Sequence, residues 1–367
     1  MNKIKNRLDK LKKTLSDKGI DSLMVLTQEN RFYLSDFSGE DTQFDESAGA
    51  LFITKGTPVL ATDSRFILQA ESETSLYDIV CYKEGLAKEL PRILRDNDIK
   101  RLGFEGGRIS YLQYRKILDE IKGAGLDVDM IETENIVENF RLTKDAAEIS
   151  MMKQALDIAE SAFESFKNCI DTGMTEKQAA WLLEKSLREA GADALSFPVI
   201  CASGTNSAMP HAIPQDRKFE KGEPILFDWG VKLKGYCSDI SRTICIGKPD
   251  GMFNKVFNTV HDAQMKAIDA IKPGMTGKAI DNIARRYIEE KGFKGKFGHG
   301  LGHGIGLAVH EMPGISPLKE MKIEPQMVFT VEPGIYLPGW GGVRLENMIV
   351  VKENGAEVLN SMECRWN

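Results

Sequence analysis

Histidine is scarce in this 367-residue chain, with five in all, and cysteine hardly less so, with six. The cysteines (Cys81, Cys169, Cys201, Cys237, Cys245 and Cys364) are scattered and form no CxxC pair. That argues against a disulfide framework or a cysteine-rich zinc site and for reduced thiols in a cytoplasmic protein. Long apolar runs are missing as well: none approaches the roughly 18 residues that a spanning helix needs. The N-terminal stretch MNKIKNRLDKLKKTLSDKG is too charged to hold a signal-peptide core. Neither sign of charge dominates, since 48 Lys and Arg stand against 54 Asp and Glu. A net charge of −6 gives no electrostatic case for nucleic acid or an anionic membrane. What remains is an ordinary soluble composition in a chain long enough for two domains.

The first third alternates helix and strand signals. Ile4, Leu8, Leu11 and Leu15 recur at helical spacing, and the runs SLMVL, GALFIT, PVLAT and YDIVCY read as short strands. LAKELPRILRDN and YLQYRKILDEIKGAG read as helices, the second with a glycine stop. From Leu142 the texture changes to a long amphipathic helix, TKDAAEISMMKQALDIAESAFESF, opened by Thr143 as its cap. The expected division is an α/β domain over residues 1–138 and a second domain over 139–367.

The second part repeats itself. Gly173-Met174-Thr175 recurs 101 residues later as Gly274-Met275-Thr276, each opening a helix that stops at Gly191 or Gly292. MPHAIPQD then stands near register with AVHEMPGI, and GEPILFDWG with IEPQMVFTVEPG. Two similar α+β halves, related by an approximate two-fold and sharing a sheet, are the physical reading.

Each half offers a hairpin carrying two acids. Asp228 and Asp239 flank a turn near Gly235, and Glu332 and Glu346 flank a longer connection containing Tyr336 and Trp340. An acid at a strand end is ordinarily solvated, but Asp228 follows Pro-Ile-Leu-Phe and Glu332 follows Val-Phe-Thr-Val. Four carboxylates converging in an interior would repel one another and need compensating cations. Arg242 and Arg344 are too few; divalent metal suffices.

The stretch FGHGLGHGIGLAVHE holds His299, His303 and His310 with five glycines. A metal site, a polar substrate wall and a satisfied loop all compete to explain it. His299 and His303 at i, i+4 suit a zinc-binding helix, but the alternating glycines favour extended chain with close backbone approach. In a strand both imidazoles face one cavity. One imidazole with four carboxylates is an oxygen-rich donor set suited to Mn²⁺, Co²⁺, Fe²⁺ or Zn²⁺. Two ions about 3.5–4 Å apart would fit such a set.

Asp228, Asp239, His303, Glu332 and Glu346, in this order and setting, resemble the ligands of the creatinase/methionine-aminopeptidase, or pita-bread, metallopeptidases. The motifs FDWG, CSDISRT, GHGLGHGIGLAVHE, TVEPGIY and RLEN carry the likeness as a set. It is greatest to the proline-specific branch, the Xaa-Pro aminopeptidases and Xaa-Pro dipeptidases (prolidases). The resemblance implies an α+β fold: a C-terminal pita-bread domain with a pseudo-two-fold repeat, behind a smaller creatinase-like α/β domain. It implies two divalent ions, Mn²⁺ first among them, with Asp228 on one, His303 and Glu332 on the other, and Asp239 and Glu346 bridging. Glu332 is implied as proton carrier, His211 and His310 as substrate-binding and oxyanion-stabilising groups, and His299 as a wall for the proline side. Arg344 would pair with the carboxylates or the substrate, and the protein would act on peptides as a homodimer.

Within that family the expected activity is that of an Xaa-Pro aminopeptidase, with Xaa-Pro dipeptidase as the alternative. The preference rests on Glu40, Asp41, Asp45 and Glu46, whose loop would disfavour a free substrate carboxylate near the cleft; an exposed acidic loop is the competing account. Methionine aminopeptidases usually lack the first domain, and creatinase does not need the metal set. Non-catalytic pita-bread modules, which bind proteins, typically lose ligands that are all present here. His261, in the middle of FNTVHDAQMKAI, is read as a surface or core residue.

Overall fold

The apolar stripe Ile4, Leu8, Leu11 and Leu15 is buried along one side of α1 (Asn2–Asp17). The protein is described here from a computed structural model, which covers residues 2–44 and 46–364. The chain divides between Phe140 and Arg141 into two compact units.

In the first unit the four apolar runs are strands: β1 (Ser22–Val25), β2 (Ala50–Ile53), β3 (Val59–Thr62) and β4 (Asp78–Cys81). With β5 (Arg101–Glu105) and β6 (Asp129–Thr133) they make one sheet in the order β4-β3-β2-β1-β5-β6. The first three are buried at every position, so they read as continuous apolar runs without alternation. Four helices join the strands: α2 (Gln28–Ser35), α3 (Ile67–Glu73), α4 (Leu86–Asp96) and α5 (Tyr111–Gly123). Leu90, Ile93 and Leu94 of α4 and Ile117 and Ile121 of α5 pack with Met24, Phe52, Leu102 and Phe104 from the sheet.

The acidic loop after α2 is not a row of free charges. Asp41 accepts from Arg31 at 2.6 Å and from Arg108 at 2.8 Å, and its Oδ1 also accepts the Ala48 amide. Against its burial, the Arg31 guanidinium and these other donors hold the Asp41 carboxyl below its usual range. Glu46 accepts from Thr42, Glu40 is exposed, and Asp45 lies outside the described residues.

A single turn, α6 (Glu138–Arg141), leads into the second unit. Its first long helix, α7 (Ala146–Phe166), is capped by Asp145, not by Thr143. Asp145 accepts from the Glu148 amide while Glu148 accepts from that of Asp145, and Thr143 instead makes a bridge with Met327. The repeat is present in detail. Thr175 caps α8 (Glu176–Glu189) and Thr276 caps α10 (Gly277–Ile288), which follows α9 (Gly251–Ala270). Gly173 and Gly274 share φ of 89°, and Thr175–Lys218 and Thr276–Lys322 form matching bridges.

The first half supplies β7 (Ala194–Leu195), β8 (Ile200–Ser203), β9 (Ile225–Trp229), β10 (Val231–Leu233), β11 (Tyr236–Cys237) and β12 (Ile240–Ile244). Lys234 and Gly235, both with positive φ, form the expected turn between β10 and β11. The second half supplies β13 (Gly302–Gly304), β14 (Glu311–Ile315), β15 (Val328–Val331), β16 (Gly334–Leu337), β17 (Gly341–Arg344), β18 (Asn347–Lys352) and β19 (Gly355–Val358). The halves do not share one ladder. A three-stranded sheet, β12-β9-β8, meets a five-stranded sheet, β14-β13-β15-β18-β19. The Glu346 amide bonds to the Ser241 carbonyl, and Thr243 Oγ1 bonds both backbone groups of Arg344. Behind the first sheet, Trp229 stacks on Phe163 at 4.1 Å and donates its indole N–H to the Ala159 carbonyl.

Asp41→Asn should cost about 1–3 kcal/mol in urea unfolding, because it removes the charge that Arg31 and Arg108 share. A depressed folded pKa means that this stabilisation is complete above the ordinary carboxylate range and lost as pH falls through the folded value. The gap between parent and variant should therefore close in acid; a gap independent of pH would refute the charge account.

Candidate active site

The repeat delivers its four acids to corresponding strand ends. Asp228 lies in β9 opposite Ser241, and Asp239 immediately precedes β12. Glu332 immediately follows β15, and Glu346 immediately precedes β18. Because β9 pairs with β12 and β15 with β18, each pair of acids is brought together although eleven or fourteen residues separate its members.

These carboxylates are short of partners. Arg344 donates to Asp228 at 2.6 Å, Ser241 to Glu346 at 2.9 Å, and Thr330 to Glu332 at 3.3 Å. Arg242 acts on the Glu346 carboxylate only through its charge: its hydrogen bonds go to the carbonyls of Ser241, Glu346, Met362 and Glu363 and the side chain of Asn347. Among the described residues, Asp228 Oδ1, Asp239 Oδ1 and Glu346 Oε1 are buried oxygens with no hydrogen-bond partner. Burial, and then the neighbouring Glu346 and Asp228, hold Asp239 and Glu332 well above the usual range. Glu346 is pushed up to about 8, by burial first and then by Asp228.

The histidines divide by what their rings touch. His303 sits in β13 at an irregularity in its pairing with β14, a device that re-aims a side chain. Its Nδ1 lies 3.1 Å from the Gly304 carbonyl, which can only accept, so Nδ1 carries the proton and Nε2 presents a lone pair. That Nε2 lies 3.4 Å from Glu332 Oε1 and 3.7 Å from Asp239 Oδ2, too far for good hydrogen bonds. Donor atoms of Asp239, His303 and Glu346 lie within 4.8 Å of one another. Partnerless carboxylate oxygens and a free imidazole nitrogen around one gap fit divalent cations of the harder type.

His299 is differently engaged. Its Nδ1 faces the Gly300 carbonyl at 2.8 Å, and its Nε2 faces the Tyr336 hydroxyl at 2.8 Å, which in turn accepts from Arg344. Both ring nitrogens are occupied, leaving none for a metal. Burial pushes both imidazoles down to about 4, helped by His310 at His303 and by Arg344 at His299, so both are neutral at neutral pH. His310 stands edge-on to His303, with ring centroids 4.2 Å apart. The glycines act by size: a Cβ on Gly302 would lie 1.9 Å from the Thr330 carbonyl oxygen, and one on Gly304 would lie 2.2 Å from that of Met312.

The nine residues given ligand, catalytic or substrate-binding roles from the sequence (His211, Asp228, Asp239, His299, His303, His310, Glu332, Arg344 and Glu346) line one cavity of about 610 Å³. Phe197, Pro198, Ile200 and Val309 complete its apolar wall, and no chemical signal in the sequence marks them. The roles of Ser241, Thr330 and Tyr336 as partners of the charged groups were likewise silent. Trp340 packs against the second-half core, and His261 lies in α9 beside Asp262. A larger cavity of about 750 Å³, beside α7, contains no histidine, so size alone does not mark the site.

This fold and site define a class. Residues 150–353 match metallopeptidase family M24, and residues 7–143 match the creatinase/prolidase N-terminal domain. The chain belongs to the M24 metallopeptidases, enzymes that imply divalent metal. Among its relatives, an Xaa-Pro dipeptidase of Pyrococcus furiosus is 33% identical over 98% of this chain and 99% of its own length. A solved Xaa-Pro dipeptidase from Bacillus anthracis superposes with a TM-score of 0.91 at 36% identity, over 99% of each chain. An X-Pro aminopeptidase from Thermotoga maritima superposes at 0.89 with 37% identity, over 97% of this chain and 98% of its own.

Proton linkage gives a test of the site. Glu346 holds its proton more tightly folded than unfolded, so the ion-free fold loses stability as pH rises from the ordinary glutamate range towards 8. A cation held at this carboxylate would displace that proton. The increment that Mn²⁺ adds to Tm should therefore grow from about pH 6 to about pH 8. Calorimetric titration in buffers of different ionisation enthalpy should show proton release, and binding without it would contradict this assignment.

Proposed function

We propose that the chain is a dinuclear Xaa-Pro dipeptidase (prolidase), with Mn²⁺ as its metal and hydrolysis of the Xaa–Pro bond as its reaction. The observation that carries this is the set of four buried carboxylates and one free imidazole nitrogen with a single guanidinium among them. In this reading Asp228 would hold one ion, His303 and Glu332 the other, and Asp239 and Glu346 would serve both. When bound, the two ions supply an activated water near neutral pH and polarise the scissile carbonyl.

The remaining steps belong to side chains. Glu332 takes a proton from the attacking water and returns it to the leaving nitrogen. That return matters, because a prolyl nitrogen has no N–H while it is part of the peptide bond. His211 and His310, exposed in the cavity, hydrogen-bond the substrate and support the developing oxyanion. His299, with both nitrogens fixed, forms the proline-side wall with Phe197 and Pro198. Such a wall reads the ring by shape, worth only a few kcal/mol of discrimination. Homodimeric assembly and a cytoplasmic location go with this reading.

Two findings favour the dipeptidase over the aminopeptidase. The Pyrococcus and Bacillus anthracis proteins named above are dipeptidases, though the Thermotoga protein is an aminopeptidase of similar likeness. The acidic-loop argument for an aminopeptidase also loses Asp41, whose charge is spent on Arg31 and Arg108.

With Mn²⁺ restored to stripped protein, Xaa-Pro should be cleaved faster than Xaa-Pro-Yaa, and alanine-for-proline controls more slowly than either. Cleavage of the tripeptide alone would establish the aminopeptidase instead. Glu332→Gln should lower kcat by about 10²–10⁴ with Mn²⁺ saturating; a smaller loss with metal demonstrably bound would remove Glu332 as the proton carrier.

A further inference from the structure

The segment from Phe297 to Leu301 holds His299 and leads into the strand of His303, yet it is neither helix nor strand. Its backbone is held from α10 instead. Asp281 and Arg285, one helical turn apart, form a two-pronged ion pair at 2.7 and 2.8 Å, with Asp281 fully buried. Arg285 also donates to the carbonyls of Phe297 and His299, each at 2.7 Å, while Asp281 accepts the Leu301 amide at 3.0 Å. The guanidinium further lies 4.3 Å from the centre of the Phe297 ring, which meets His299 edge-on.

The hold extends further. The Leu301 carbonyl accepts the Glu332 amide at 2.7 Å. Asp281 is thus joined to Glu332 through the two peptide groups of one residue. His299, in turn, is held at its own carbonyl and at both ring nitrogens.

The internal repeat supplies a comparison. At an offset of 101, Asp281 and Arg285 correspond to Ala180 and Glu184 on α8, and 297–301 correspond to 196–200. There residues 196–199 likewise lie outside helix and strand, with the Ser196 amide on the Gly230 carbonyl and Ile200 paired with Asp228. Glu184 merely meets Arg188 on an exposed helix face. The half that carries the histidine stretch therefore has a helix-borne ion pair holding this segment, which Ala180 and Glu184 at the matching positions cannot form.

We propose that Asp281 and Arg285 are positioning residues of the active site, fixing His299 and the backbone of Glu332 where the glycine-rich chain has no strand to do so. Neither touches the candidate ligands directly, so they act through the segment they hold. The inference rests on the dipeptidase reading only through the substrate used to measure turnover; hydrogen exchange does not need it.

The test compares Arg285→Gln and Arg285→Lys with the parent and with Glu184→Gln, the register-matched surface control. Arg285→Lys keeps the charge but cannot span both carbonyls and the carboxylate. In folded variants, kcat for Xaa-Pro at saturating Mn²⁺ should fall about 10- to 100-fold. Amides of the peptide 297–303 should exchange faster by mass spectrometry, while Glu184→Gln matches the parent in both. Parental turnover or unchanged exchange in a folded Arg285 variant overturns the proposal. Loss of folding in both Arg285 variants overturns it too, by making the pair a requirement of the fold as a whole. A parent that cleaves no Xaa-Pro peptide sinks the dipeptidase reading, and the exchange comparison still decides the role of the pair.

Discussion

Four carboxylates share one interior with a single paired guanidinium, and much of the second unit is arranged around that imbalance. In a desolvated site like charges cannot all ionise, so protons or cations must make up the difference. Asp228 has Arg344, and Glu346 and Glu332 have one hydroxyl donor each, but three buried carboxylate oxygens find no hydrogen-bond partner among the described residues. A fold that needed only stability would not keep such a cluster, since leaving buried polar atoms unmatched costs about 1–3 kcal/mol apiece and more when they are charged. The arrangement makes sense as one completed by divalent metal.

The internal repeat explains how such a cluster is built. Each half ends a buried strand in an acid and begins the partner strand with another, so the pseudo-two-fold brings all four to one place. The halves then diverge. The first keeps a tight turn at Lys234 and Gly235 and regular strands, whereas the second opens into the β16–β17 hairpin and the glycine-rich histidine stretch. Gly302 and Gly304 let that stretch lie against neighbouring backbone, closer than any side chain would allow. Its irregular part is then tied to α10 by Arg285 and Asp281, and the loop carrying His310 is pinned by the buried ion pairs of Glu311 with Arg141 and Lys144.

Local sequence errors had local physical causes. Thr143 looks like a helix cap, but Asp145, two residues on, can complete a reciprocal pair with Glu148 and therefore starts α7. The loop of acids after α2 looks like a charged rim. Asp41 proves to be an ion-pair centre because Arg31, from α2, and Arg108, just beyond β5, both reach it. Neither arginine is adjacent to it in the chain, and the acidic-loop argument for an aminopeptidase is left without one of its four acids.

Along the chain, composition, periodicity and a repeat that starts at an offset of 101 residues and widens to 104 and 107 at the acids determined the two-part organisation, the helices and strands, and the duplicated acids. Residue type marks four carboxylates and a cluster of histidines as candidate donors, because acids beside apolar strands and histidines among glycines are chemically conspicuous, while the choice of His303 among them came from the family resemblance. Tertiary structure decided what each group is free to do. The Nδ1 of His303 and both nitrogens of His299 are committed by carbonyl and hydroxyl partners, so only one of the two rings can face a metal. Arg242 and Arg344 look alike in sequence, yet one is spent on carbonyls and the other on Asp228. These outcomes depend on which hydrogen-bonding group lies within about 3 Å across the fold, a matter of distance between residues far apart in the chain.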